Sequence, residues 1–169
     1  MRWKWTEWHV LGALVAILAA LFAAGWLTRN DPADQPPIAI AGGGFVFNYR
    51  EAEAYFGFQA QVMRPLPAGS ILEARFEDPA GGDDHVVWER LSARTRHYAL
   101  RSPPLTGIRA HQPYRVAIRV LDRTRSDVVF ETMRSYQSSI PSAALPEQPL
   151  TIGPGYHRNP AARQSGPQR

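Results

Sequence analysis

Histidines, methionines, clustered aspartates and a glycine triplet are the residues of this 169-residue chain whose chemistry first suggests a site. The histidines are His9, His85, His97, His111 and His157, and Met63 and Met133 are the methionines that could join them. Imidazole and thioether together suit copper. No two histidines, however, have the spacing that puts two ligands on one strand face or one helix turn, so scattered surface histidines and core methionines are expected, with copper handling as the weaker alternative. Asp78, Asp83 and Asp84 surround Gly81 and Gly82, an oxygen-rich loop of the kind that takes calcium. It lacks the trailing bidentate glutamate and reads as a polar turn. Gly42, Gly43 and Gly44 precede Phe45 rather than a helix start, so they predict a bulge or a close backbone approach, not a phosphate cradle. GxSxG, HExxH and Walker-type patterns do not occur. With no cysteine, thiol catalysis, thiolate metal sites and disulfides are excluded. The expectation is a non-enzymatic chain with no cofactor and no metal.

The elements that would carry these residues begin with an apolar run, VLGALVAILAALFAAGWL, at residues 10–27. Eighteen uncharged residues (about 27 Å as a helix) match the hydrocarbon thickness of a bilayer. The expected organisation is a cytoplasmic N-terminus over residues 1–9, a transmembrane helix over 10–28 and a linker over 29–37. Trp8 and Trp26 stand at the ends of the run, where indoles favour the interface, and Trp3 and Trp5 add to the anchoring. Arg2 and Lys4 precede the helix, while Arg29, Asp31 and Asp34 follow it. The positive-inside rule then places the short N-terminus in the cytoplasm. The rest would lie outside the bacterial inner membrane, in the periplasm. A cleaved signal peptide, with Ala23 and Gly25 before the cut, is the competing reading. Gly12, Ala16, Ala20 and Ala24 recur every four residues, a spacing that lets two helices approach closely and allows a homodimer through the helix. Alanine abundance explains the same residues.

Beyond NDPADQPP the pattern turns to period two. Alternation predicts seven strands, at residues 38–50, 55–63, 70–77, 86–91, 96–101, 114–121 and 128–136, with a possible helical turn at 51–54. Phe56, Phe58, Leu72, Phe76, Val86, Trp88, Leu100, Val116, Ile118, Val120 and Phe130 are expected inward. The fold class expected over residues 38–137 is all-β, a seven-stranded antiparallel immunoglobulin-like sandwich behind a single transmembrane helix. The segment LTGIRAHQPYRVAIRVLD, residues 105–122, resembles the E–F corner of fibronectin type III and related immunoglobulin-like domains. Ile108 and Tyr114 hold the places of the apolar residue and of the tyrosine six positions later. Ala110, Gln112 and Pro113 depart from the pattern. The resemblance implies that the Tyr114 hydroxyl bonds back to upstream backbone, and it implies architecture rather than activity.

From residue 138 prolines recur, predicting a polyproline-like extended arm over 138–160 that docks on something, its own body included, and a disordered tail over 161–169. Two surfaces stand out. Phe45, Phe47, Tyr49 and Tyr55 exceed what one inward face needs and form a candidate aromatic strip, joined by Ile152 and Tyr156 from the arm; burial on both faces under the proline-rich arm explains them equally well. Arg75, Arg115 and Arg119 lie on outward faces among Glu73, Glu77 and Glu89, which predicts a mixed-charge solvated face. A basic face for anionic lipid or an acidic partner is the alternative reading. The functional expectation is a membrane-anchored periplasmic interaction module, an accessory or assembly subunit beside another membrane protein or complex. An envelope glycan- or peptidoglycan-binding domain is the alternative, and nucleic acid is disfavoured by charge and compartment.

Overall fold

The computed structural model describes residues 7–29 and 35–162, and divides the chain into two compact units, residues 1–35 and 36–169. Arg2, Lys4, Asp31 and Asp34, on which most of the expected orientation rests, and the expected anchors Trp3 and Trp5 lie outside the described residues, as does the tail from 163.

The first unit contains one helix, α1 (Glu7–Leu27). It begins three residues before the expected start. Its 21 residues rise about 31 Å at 1.5 Å each. Trp8–Leu27 has a mean hydropathy of 2.4 and is long and apolar enough to cross a membrane. None of that span is buried within the protein. The helix ends where the Thr28 amide and hydroxyl both donate to the Ala24 carbonyl, at 2.9 and 2.8 Å. The Arg29 guanidinium lies 5.8 Å from the Trp26 ring centre.

The second unit is mostly β and all its sheets are antiparallel. Its strands are β1 (Ile38–Asn48), β2 (Glu53–Val62), β3 (Ile71–Phe76), β4 (His85–Arg90), β5 (His97–Arg101), β6 (Pro113–Leu121), β7 (Val128–Gln137), β8 (Thr151–Ile152) and β9 (His157–Arg158). One sheet has the order β1-β2-β5, a second β4-β3-β6-β7, and β8 pairs with β9. The strand count is therefore nine rather than seven, and the two extra strands lie in the segment expected to be an extended arm.

Period-two alternation explains most of the core. Leu72, Ala74 and Phe76 from β3 and Tyr114, Val116, Ile118 and Val120 from β6 meet Phe56, Phe58, Ala60, Tyr98 and Leu100 from β2 and β5. The rings interlock: Phe56 lies 5.0 Å from Phe76, edge to face, and Phe45 stacks on Phe56 at 4.8 Å. Burying each such side chain contributes about 1.5–3 kcal/mol to holding the two sheets together.

Two hydroxyls fasten loops to this core. The Arg109 amide donates to the Tyr114 hydroxyl at 2.9 Å, the bond back to upstream backbone that the corner resemblance implies, and Ile108 is buried beside it. The Ser92 amide likewise donates to the Tyr98 hydroxyl at 2.7 Å.

Four expectations need correcting. Val86 and Trp88 point outward. The β3–β4 register sets them opposite Arg75 and Glu73, while Val87 packs on the core. The run Val86-Val87-Trp88 is apolar on both faces, so periodicity could not choose between them. Met63 and Met133 are exposed rather than core residues. Residues 49–52 form a turn, not a helical one: the Asn48 side-chain oxygen accepts from the amides of Arg50 and Glu51, Ala52 takes φ 58°, and β2 starts at Glu53.

The fourth correction concerns the arm, which packs. Ala110 bridges to Ser138, and the Ser142 amide donates to the Ile108 carbonyl at 2.9 Å. A 3₁₀ turn follows at Ser142–Ala144, and Leu145 lies against the core. The Thr151 amide then donates to the Arg50 carbonyl at 3.3 Å. Asn159 holds the β8–β9 hairpin by donating to the Pro149 carbonyl and accepting from the Ala161 amide. The segment is thus packed rather than free, with extended backbone at Pro141 and Leu145 and strand pairing at Thr151–Ile152 and His157–Arg158.

Candidate interaction surfaces

On α1, Gly12, Ala16, Ala20 and Ala24 share one side, and an added Cβ at Gly12 would meet nothing within 4 Å. Trp8 and Trp26 are exposed at opposite ends of the helix.

The aromatic group separates into three parts. Phe45 and Phe47 turn inward against the core, with Phe45 also 5.8 Å from Tyr114. Tyr55 faces out from β2, and Arg101 lies 4.6 Å from its ring centre. Tyr49 and Tyr156 are exposed near the β1–β2 turn, where Arg50 lies 5.3 Å from the Tyr156 ring, and Ile152 is exposed in β8. Thus Phe45 and Phe47 do not join Tyr49 and Tyr55 in one strip. The count of aromatics had suggested a surplus, but β1 buries its pair because the bulge between Ile40 and Gly42 shifts the register.

The outer face of the larger sheet carries the charges. Register places Trp88, Glu73, Arg119 and Glu131 in one row, and Val86, Arg75, Ala117 and Met133 in the next. Glu73 points outward as expected, yet it is only 6% exposed. Arg119 donates to its Oε1 at 2.5 Å and Arg75 at 3.1 Å. Burial alone would raise the pKa of this carboxyl. The two guanidinium hydrogen bonds and charges outweigh that, and hold it below the ordinary value of 4.5. Trp88 is half-exposed, with the Arg125 guanidinium 4.2 Å from its ring centre. Ile71 and Leu121 also occupy outward positions and are nonetheless buried, apart from the main core.

Polar loops are occupied with their own backbone. Both Asp78 carboxylate oxygens accept backbone amides, from Ala80 and Gly82 at 3.0 Å each. In the β6–β7 turn the Thr124 hydroxyl, the Ser126 and Asp127 amides and the Ser126 hydroxyl all donate to Asp122, which holds that carboxyl well below the usual range. Among the described residues no group of three or more His, Asp or Glu is placed to hold a metal ion.

Sequence reasoning missed one feature, a groove of about 530 Å³ on the outer face of the β1-β2-β5 sheet. Gly42, Gly44 and Gly57 form its floor, with Val46, Tyr55 and Arg101 beside them. The glycine triplet was visible in sequence, but Gly57 and Arg101 join it only through strand pairing. Compared with known proteins, the chain matches no family model and no curated sequence.

Proposed function

We propose that this chain is a membrane-anchored, non-catalytic interaction module, an accessory or assembly subunit held beside a larger complex of the bacterial inner membrane, with its β body in the periplasm. One observation carries the reading: α1 is long and apolar enough to cross a membrane, and no part of its 20-residue span is buried, so its apolar surface lacks a cover. Lipid, or helices within lipid, supplies what it lacks. The remainder is a small body whose polar loops bond to themselves and whose exposed apolar residues lie on its faces. Such surfaces suit binding rather than chemistry.

The body is a fibronectin type III-like sandwich in this reading. Supporting it are the ring contacts between the inner faces of the two larger sheets, the Tyr114 corner bond and the pairing of β4 with β3. That pairing gives the fourth strand to the larger sheet, whereas constant-type immunoglobulin domains keep it beside the first, second and fifth strands. The test is twofold. A reporter fused after residue 169 is active only in the periplasm, and the intact chain extracted in mild detergent brings down a stoichiometric membrane partner. A cytosolic C-terminus, or a chain that purifies alone, overturns the reading.

A further inference from the structure

We infer that the outer face of the β1-β2-β5 sheet is a self-association surface that pairs with a second copy of this chain. The argument starts from the glycines. Glycine inside a strand weakens it, and internal packing excuses only some of those here. A Cβ on Gly43 would lie 2.4 Å from the Tyr136 ring, and one on Gly57 would lie 2.5 Å from the Leu100 carbonyl oxygen. At Gly42 and Gly44 an added Cβ meets nothing within 4 Å, and neither residue has a positive φ. Gly42 adjoins the bulge after Ile40, but no neighbouring atom inside the body requires Gly44 to be bare. Their smoothness admits something from outside.

The same face supplies what fits. Register aligns Val46 with Tyr55 and, one row on, Gly44 with Gly57. The rows are two residues apart, about 7 Å along the strand. Exposed Val46 and half-buried Tyr55 thus stand along one edge of the groove, one row from its bare glycines. A two-fold axis lying across the strands midway between these rows seats each copy's Val46 over the other's Gly44, and Tyr55 over Gly57. An isologous pairing of this kind needs a patch complementary to itself.

Charge follows the same operation. Glu53 lies one row beyond the ridge and forms no ion pair among the described residues. Arg101, in the groove row, contacts the Tyr55 ring and, among the described residues, pairs with no carboxylate. Inversion of the row order brings Glu53 of one copy over the row of Gly42 and Gln59 of the other, one row and one strand from Arg101, a gap that these two long side chains can span. The occupant is therefore a second copy rather than an unrelated ligand.

The test uses the intact chain in detergent or nanodiscs. It contains no cysteine, so Val46→Cys gives a single thiol. A short bis-maleimide should link Val46→Cys copies into dimers and leave Met133→Cys, on the outer face of the other sheet, unlinked. Adding Gly42→Thr and Gly44→Thr should weaken linking about tenfold or more while leaving the melting temperature equal or higher, because open space receives both side chains. Glu53→Arg should reduce linking, and Glu53→Arg with Arg101→Glu should restore it. Equal linking at both cysteine positions overturns the proposal. So does linking that persists at full yield in the threonine variant, or a dimer by light scattering that Val46→Cys never captures, as a helix-only dimer would give.

Discussion

Replacing Tyr114 by phenylalanine isolates one hydroxyl. Tyr114 is 1% exposed, and its ring contacts Phe45, so the substitution keeps the apolar packing and removes only the acceptor that holds the Arg109 amide at 2.9 Å. A neutral hydrogen bond contributes about 0.5–1.5 kcal/mol net, and a donor left without a partner away from water costs about 1–3 kcal/mol. This bond is part-buried, so a loss of about 1–2 kcal/mol is expected, or about 3–8 °C in melting temperature for a body of this size. Trp88 is the sole tryptophan of residues 36–169, so in a background with Trp3, Trp5, Trp8 and Trp26 replaced by phenylalanine its fluorescence monitors urea unfolding of that unit. The midpoint should fall with the slope unchanged, because the native surface is conserved. Tyr98→Phe, which frees the Ser92 amide, serves as the comparison. A Tyr114→Phe midpoint indistinguishable from wild type would refute the claim that the hydroxyl fastens the corner.

Three further outcomes follow. The carboxyl of Glu73 has its pKa below 4.5 in the folded state, so its contribution is whole above that pH and disappears as the pH falls through the lower folded value; Glu73→Gln should lose about 1–3 kcal/mol at neutral pH and flatten the acid limb of a stability-versus-pH curve. Gly43→Ala should destabilise by about 1–3 kcal/mol, since the new Cβ meets Tyr136 and the Gly57 carbonyl, whereas Gly44→Ala should leave thermal melting equal or higher. Leu145→Ala should release the arm from the core and speed limited proteolysis between residues 145 and 162, with the cleavage sites read by mass spectrometry.

What the sequence disclosed depended on how far a residue's environment is set by its neighbours in the chain. Leu72, Ala74 and Phe76, and Tyr114 through Val120, alternate against charged residues, and their faces were legible for that reason. The apolar helix and the Tyr114 corner were equally local. Val86-Val87-Trp88 carries no polar residue to fix its phase, and the register with β3 decides it. Glu73 read as a solvated surface residue because its partner Arg119 lies 46 positions away. Phe45 and Phe47 looked surplus because a one-residue bulge earlier in β1 cannot be phased from alternation through glycines. The groove depends on Gly57 and Arg101 arriving from β2 and β5, and no spacing within β1 announces them.

The docked arm has a consequence for how the chain is made. The residues that cap the Ile108 carbonyl, pack Leu145 on the core and reach the Arg50 carbonyl follow all seven larger strands in the chain and so emerge after them. Until they emerge, the seven preceding strands present an open seam to whatever surrounds the nascent chain. A polypeptide stopped short of residue 145 therefore retains an adhesive scar where the finished one is sealed. A chain cut before residue 145 should aggregate in detergent under conditions that keep the 169-residue chain dispersed.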